Sequence, residues 1–293
     1  MGKFVKSSIL SFASALLAAS PALAGVGPEI AYQEQHQNGD EIYLINPDGT
    51  GHALVFKGPS KYFVSDLDMR PGWGELAVAL RTRLFIVDYD DRGVKTASRE
   101  IPPPTPGCSF GSLDYHPSDG SLLVGQACNS KTKIYRLPAG ASFLDSAPII
   151  SFDYYAGVRW SRNGSKIYYE YGGAPGVFAF DPATNSSTQL QGSPWGLSDV
   201  LLLGEQVWWN SSGGPARLPD GSYKIGDLTT GQQRDGCRLA NSIHFGSNDT
   251  QMVFRTPPSQ GGYYVMVQNS DCSGAPFRLT GKGAYYYVDW RAP

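Results

Sequence analysis

One strand pattern recurs six times along this 293-residue chain, each start about 40 to 46 residues after the last. The starts are Leu67-Asp68-Met69-Arg70, Leu113-Asp114-Tyr115-His116, Val158-Arg159-Trp160-Ser161, Ser198-Asp199-Val200-Leu201, Ile243-His244-Phe245-Gly246 and Val288-Asp289-Trp290-Arg291. A second series keeps the same beat: Glu41–Ile45, Arg83–Val87, Lys133–Leu137, Val177–Phe180, Tyr223–Gly226 and Tyr263–Val267. A chain built this way must stack equivalent units, because no single unit can bury its own apolar face.

Each unit reads as four short antiparallel strands. In the third, Val158–Ser161 is a strand, Arg162-Asn163-Gly164 a turn that needs positive φ, and Ile167–Glu170 a β-branched and aromatic strand. Gly176–Asp181 and Ser187–Leu190 supply the remaining two. The repeat length and the strand content predict an all-β, six-bladed β-propeller of four-stranded antiparallel blades. Near the start of the series, Glu29–Gln33 looks like a second strand without a first. At its end, Tyr287–Trp290 looks like a first strand without a second. The two are expected to complete one blade and close the ring, removing open edges.

Residues 1–24 carry Lys3 and Lys6, an apolar run from Ile9 to Ala19, and a closing Ala22-Leu23-Ala24. This is the plan of a secretory signal, too short in its apolar part to span a bilayer. The expected division is a signal peptide at 1–24 and one propeller domain at 25–293, periplasmic or secreted, with no integral membrane segment after cleavage. With the two signal lysines removed from 24 basic residues, 22 remain against 26 acidic ones. That mild acidity argues against nucleic acid, whose recognition needs a concentrated basic face. Four cysteines in an exported chain favour two disulfides. Cys108 precedes an inner strand and Cys128 ends the strand after it, so antiparallel pairing brings them to one end of the blade. Cys237–Cys272 follows mostly by elimination.

Trp160-Ser161-Arg162-Asn163-Gly164-Ser165-Lys166-Ile167 resembles the W-S-P-D-G-K-x-I motif of TolB-like propeller repeats, and Tyr115–Leu122 is an expanded copy. Ile42-Tyr43-Leu44-Ile45-Asn46-Pro47-Asp48-Gly49-Thr50-Gly51 is similar to the family's other half-motif. The resemblance implies the propeller fold over almost all of the chain after residue 24, and an envelope protein or peptide as partner. It does not fix activity. The extra α/β domain that precedes the propeller in TolB has no counterpart between Ala24 and Glu29.

Candidate chemistry concentrates at the inner strands. Asp68, Asp114, Asp199 and Asp289 hold equivalent positions, with Arg159 and His244 completing the set. Pointing inward, they would line a channel with mostly negative charge. Alternatively they satisfy backbone amides between blades, as a device repeated in every unit would. Phe110, Tyr155, Trp195 and Tyr285 stand four residues ahead of their inner-strand positions, and Phe63 five ahead. They could form an aromatic ring at the channel mouth suited to a peptide or sugar, or pack between blades. Of four histidines, His36, His52, His116 and His244, only His244 falls on an inner strand, so no metal or other cofactor is expected. His-Glu-x-x-His does not occur. The reading is a monomeric, non-enzymatic propeller that binds a protein or peptide at its mouth. A polysaccharide-active lyase or hydrolase working in the channel is the alternative.

Overall fold

The computed structural model describes residues 28–59, 62–153, 156–171, 174–190, 201–203, 206–209, 222–227, 232–238, 245–247, 250–255, 263–281 and 283–290. These form six four-stranded antiparallel sheets. In the first, β1 (Ile30–Glu34), β2 (Glu41–Ile45) and β3 (Ala53–Lys57) are completed by β24 (Tyr285–Trp290). The second runs β4 (Val64–Met69), β5 (Glu75–Leu80), β6 (Arg83–Tyr89), β7 (Lys95–Ile101), and the third β8 (Ser109–Tyr115), β9 (Leu122–Cys128), β10 (Lys131–Leu137), β11 (Ile150–Phe152). The fourth comprises β12 (Ala156–Trp160), β13 (Ile167–Tyr171), β14 (Ala174–Asp181) and β15 (Ser186–Gln189). The fifth holds β16 (Leu201–Leu203), β17 (Gln206–Trp209), β18 (Ser222–Asp227) and β19 (Gln233–Arg238). The sixth holds β20 (Phe245–Ser247), β21 (Gln251–Arg255), β22 (Val265–Asn269) and β23 (Phe277–Arg278).

Burial explains the strand sequences. In the second sheet, β5 lies between two strands and has a packed sheet on either face, so all of Glu75–Leu80 is buried and the run reads ELAVAL. Its outer strand β7 has solvent on one side and reads KTASREI, with only Ile101 buried. The core is a set of wedges between neighbouring sheets. Ala31, Ile42, Leu44 and Val55 of the first meet Val64, Leu67, Leu76 and Val78 of the second. Ala77, Leu84 and Ile86 meet Phe110, Leu113 and Val124 of the third. Leu123, Ile134 and Phe152 meet Val158, Trp160 and Tyr169 of the fourth. Val253, Val265 and Val267 of the sixth meet Ile30, Tyr32, Val288 and Trp290, returning to the first. Radial packing of this kind is a β-propeller.

The first sheet joins residues far apart in the chain. Ile30 pairs with Trp290, Ala31 with Asp289 and Tyr32 with Val288. The Trp290 indole Nε1 donates to Glu29 Oε2 at 3.3 Å, and its ring is buried. This is the pairing expected of Glu29–Gln33 with Tyr287–Trp290.

Candidate binding channel and mouth

The first strand of each sheet faces inward, and β24, β4, β8 and β12 touch in succession. Such a strand is hydrogen-bonded on one side only, so alternate amides on its other side need partners. Side chains of the preceding sheet provide them. Asp289 Oδ2 accepts from Met69 N at 2.8 Å, Asp68 Oδ2 accepts from Tyr115 N at 2.6 Å, and Asp114 Oδ2 accepts from Trp160 N. A second rung lies two residues earlier, on the same strand face. Asp66 Oδ2 accepts from Leu113 N at 2.8 Å, and Ser112 Oγ accepts from Val158 N at 3.0 Å. The described aspartates therefore stitch sheet to sheet, the second of the two roles open to them.

These carboxylates also crowd one another. Burial, then the charges of Asp289 and Asp114, hold Asp68 well above the usual carboxylate range. Burial pushes Asp114 up to about 7, although Arg159 and the Trp160 amide pull the other way. Asp289 is pushed up to about 6, again by burial, against the Met69 amide and Arg159. Asp66 is raised by burial too. Arg159 stands where the repeat has its aspartate. Its Nη1 donates to Leu113 O at 2.7 Å, and its Nε lies 3.8 Å from Asp114 Oδ1. Burial alone would lower its pKa, but Asp66, Asp114, Asp68 and Asp289 outweigh burial and raise it. Among the described residues, the inner strands thus gather the carboxyl groups of Asp66, Asp68, Asp114 and Asp289 around the Arg159 guanidinium. Among the described residues, no group of three or more His, Cys, Asp or Glu side chains is disposed to hold a metal ion.

The crossovers into the inner strands open at one end of the channel. Phe63 is 57% exposed there and Tyr62 36%, with the Arg83 guanidinium 5.9 Å from the Tyr62 ring. Arg83 is itself held by a forked contact to Glu100, Nε at 2.8 Å and Nη2 at 2.5 Å. Phe110 and Tyr285 do not join Phe63 in a ring of exposed aromatics. Both are buried between sheets, because each lies on an inner strand with its side chain turned into a wedge. Tyr155, Trp195, Asp199 and His244 lie outside the described residues. At the same end, Cys108 and Cys128 form a disulfide that ties the crossover before β8 to the end of β9. Gln126 Nε2 adds a bond to Thr105 O at 3.2 Å. Cys272 is disulfide-bonded too, while the side chain of Cys237 lies outside the described residues.

At the opposite end, the residues that follow β4 and β8 reach the turn of the next sheet. The Arg70 guanidinium lies against Gly120, and His116 Nε2 against Gly164. Both glycines have positive φ, and a Cβ on either would collide with that side chain. Trp73 stands 60% exposed at this end, with Arg70 stacked 4.5 Å above its ring. Sequence reasoning passed over Asp66 and Ser112. Their signal was present, since each sits two residues before an aspartate already singled out and so shares its strand face. The acidic turns after third strands are backbone turns: Asp48 accepts from Thr50 N, Asp90 from Arg92 N and Val94 N, Asp181 from Ala183 N.

No protein-family model matches the chain, and no curated protein matches it significantly. Solved structures do. TolB from Acinetobacter baumannii aligns over 91% of this chain and 67% of its own, at 16% identity and a TM-score of 0.68. A putative TolB from Agrobacterium tumefaciens aligns over 90% and 93%, at 13% identity and 0.62. A chain of a nidogen/laminin complex aligns over 90% and 98%, at 8% identity and 0.66. At these identities the likeness is one of fold: the chain has the β-propeller architecture of TolB.

Proposed function

We propose that this protein is an exported, six-bladed propeller that binds a protein or peptide partner through its channel-mouth face, without catalysing a reaction. The observation that carries this reading is the use made of the channel carboxylates. Asp66, Asp68, Asp114 and Asp289 each commit an oxygen to a backbone amide of the next sheet, which is a scaffold's use of an acid. Among the described residues, Phe63 and Tyr62 face solvent at the mouth, the latter beside Arg83, the residue types that anchor protein interfaces. The signal-like residues 1–24 and the Cys108–Cys128 disulfide support export. The same fold occurs in a complex of nidogen with laminin, which supports a protein as the partner class.

The test is photo-crosslinking from position 63 in the native compartment, with position 73 at the far end as control. Crosslinks to a protein from position 63, reduced several-fold by Tyr62→Ala, support the reading. A crosslink pattern identical from both ends, or a chain retained in the cytoplasm, overturns it.

A further inference from the structure

The junction between the first sheet and β4 contains a buried polar pair with a defect. Gln33, on β1, is 2% exposed, and Asp40, just before β2, is 0% exposed. Gln33 Nε2 donates to Asp40 Oδ2 at 2.7 Å, and Val64 N, at the head of β4, donates to the same oxygen at 2.7 Å. That leaves Gln33 Oε1 and Asp40 Oδ1, both buried and neither with a partner. If the carboxylate is ionised, both orphans are acceptors, and neither can serve the other. Two unpaired oxygens on one bonded pair, in a buried site, are an arrangement folded proteins avoid.

We propose that Asp40 keeps its proton and forms a closed amide–carboxylic acid pair with Gln33, a pH-sensitive latch that holds the mouth crossover onto the first sheet. A proton on Oδ1 turns that atom into a donor and gives Gln33 Oε1 its missing partner. The existing Nε2–H to Oδ2 bond completes the ring, and Oδ2 still accepts from Val64. One proton thus removes both defects.

The surroundings favour the neutral acid. Burial raises the Asp40 pKa, against the opposing pull of the Val64 amide, the Gln33 amide and His36. His36, from the same loop, is a titratable group that opposes this rise, and Glu34 and Glu41 lie against its ring. The other elements packed there bring backbone and apolar groups: Gly58 N donates to Asp40 O at 2.8 Å, and the Leu80 side chain lies beside Gly58. Ionisation would set two unpartnered oxygens against each other and drive Gln33 away. The crossover carrying Tyr62 and Phe63 is fastened at this point, since Gly39 packs on the carbonyls of Gly58 and Pro59.

Asp40→Asn tests the idea, because an amide at this position can donate and accept as the protonated acid does. Infrared difference spectra of wild type against Asp40→Asn are recorded at about pH 6, where exposed aspartates are ionised. A protonated-carboxyl C=O band that shifts in D2O and is missing from the variant is expected. Thermal denaturation at the same pH should place Asp40→Asn within a degree or two of wild type and Asp40→Ala clearly below both. The latch is overturned by the absence of that band, or by Asp40→Asn falling as far as Asp40→Ala.

Discussion

The His116 imidazole Nε2 donates to Gly164 O across 3.2 Å, from the turn of one sheet to the turn of the next. Its Nδ1 accepts from Ser118 N and Asp119 N, at 3.3 and 3.1 Å, so the contacts fix the tautomer with the proton on Nε2. The ring meets Trp160 edge-on at 4.7 Å.

Gly164→Ala should therefore destabilise the protein twice over. An alanine at positive φ costs about 1 kcal/mol, and the new Cβ would press into the His116 ring. Chemical denaturation of Gly164→Ala, His116→Ala and the double variant separates the two. The double variant should be more stable than the sum of the single losses by about 1 kcal/mol, because removing the ring relieves the clash. Strict additivity would show that the turns do not bear on each other.

The channel predicts a stability that falls as pH rises. The folded pKa values of Asp114 and Asp289, about 7 and about 6, lie above the 3.8 of a free aspartate. Groups displaced this way bind protons more tightly in the folded state. Their contribution is fully present below the unfolded pKa and is lost as pH climbs through the folded values. Stability should drop by roughly 1.4 kcal/mol or more between about pH 5 and pH 8, since a tenfold difference in proton affinity corresponds to that much free energy. Asp114→Asn keeps an acceptor for Trp160 N and should flatten the slope. Denaturation profiles that are level across this window, or steeper in the variant, contradict the arrangement.

The paired chain ends carry a third prediction. Trp290 is 2% exposed and packs among Ile30, Val253 and Val288. Trp290→Ala should cost about 3 to 5 kcal/mol. Hydrogen exchange should show the loss of protection concentrated in Ile30–Glu34, since β1 is where the strand pairs. A loss spread evenly over the second and third sheets would mean that Trp290 serves general packing, not the β1–β24 pairing.

The fold was legible because each unit repeats its strand order and its turn chemistry, as with Asn163-Gly164 and Asp119-Gly120, and errors in one copy are corrected by the others. The stitching aspartates were legible as positions, and recurrence favoured the role they have. The mouth was harder. Phe63, Phe110 and Tyr285 occupy matching places in the repeat, yet Phe63 projects and the other two are swallowed by wedges. Strand register decides this: Phe110 and Tyr285 fall inside β8 and β24, whereas Phe63 sits just ahead of β4. A slip of one residue along a strand exchanges a packed face for an open one. The Gln33–Asp40 pair was invisible for another reason. It joins residues that do not recur in the other units, and its meaning lies in two unpaired atoms that only three dimensions expose.

The stitches between sheets have a direction, and it follows the order of synthesis. Asp66 and Asp68 are made before the amides of Leu113 and Tyr115 that they receive, and Asp114 before that of Trp160. Each arriving sheet finds its acceptors already standing. The Met69 amide is the exception, for its acceptor is Asp289, 220 residues later. Until that residue emerges, the earliest inner strand has a donor with nothing to give to, so assembly can proceed sheet by sheet but is not complete until its final strand comes home.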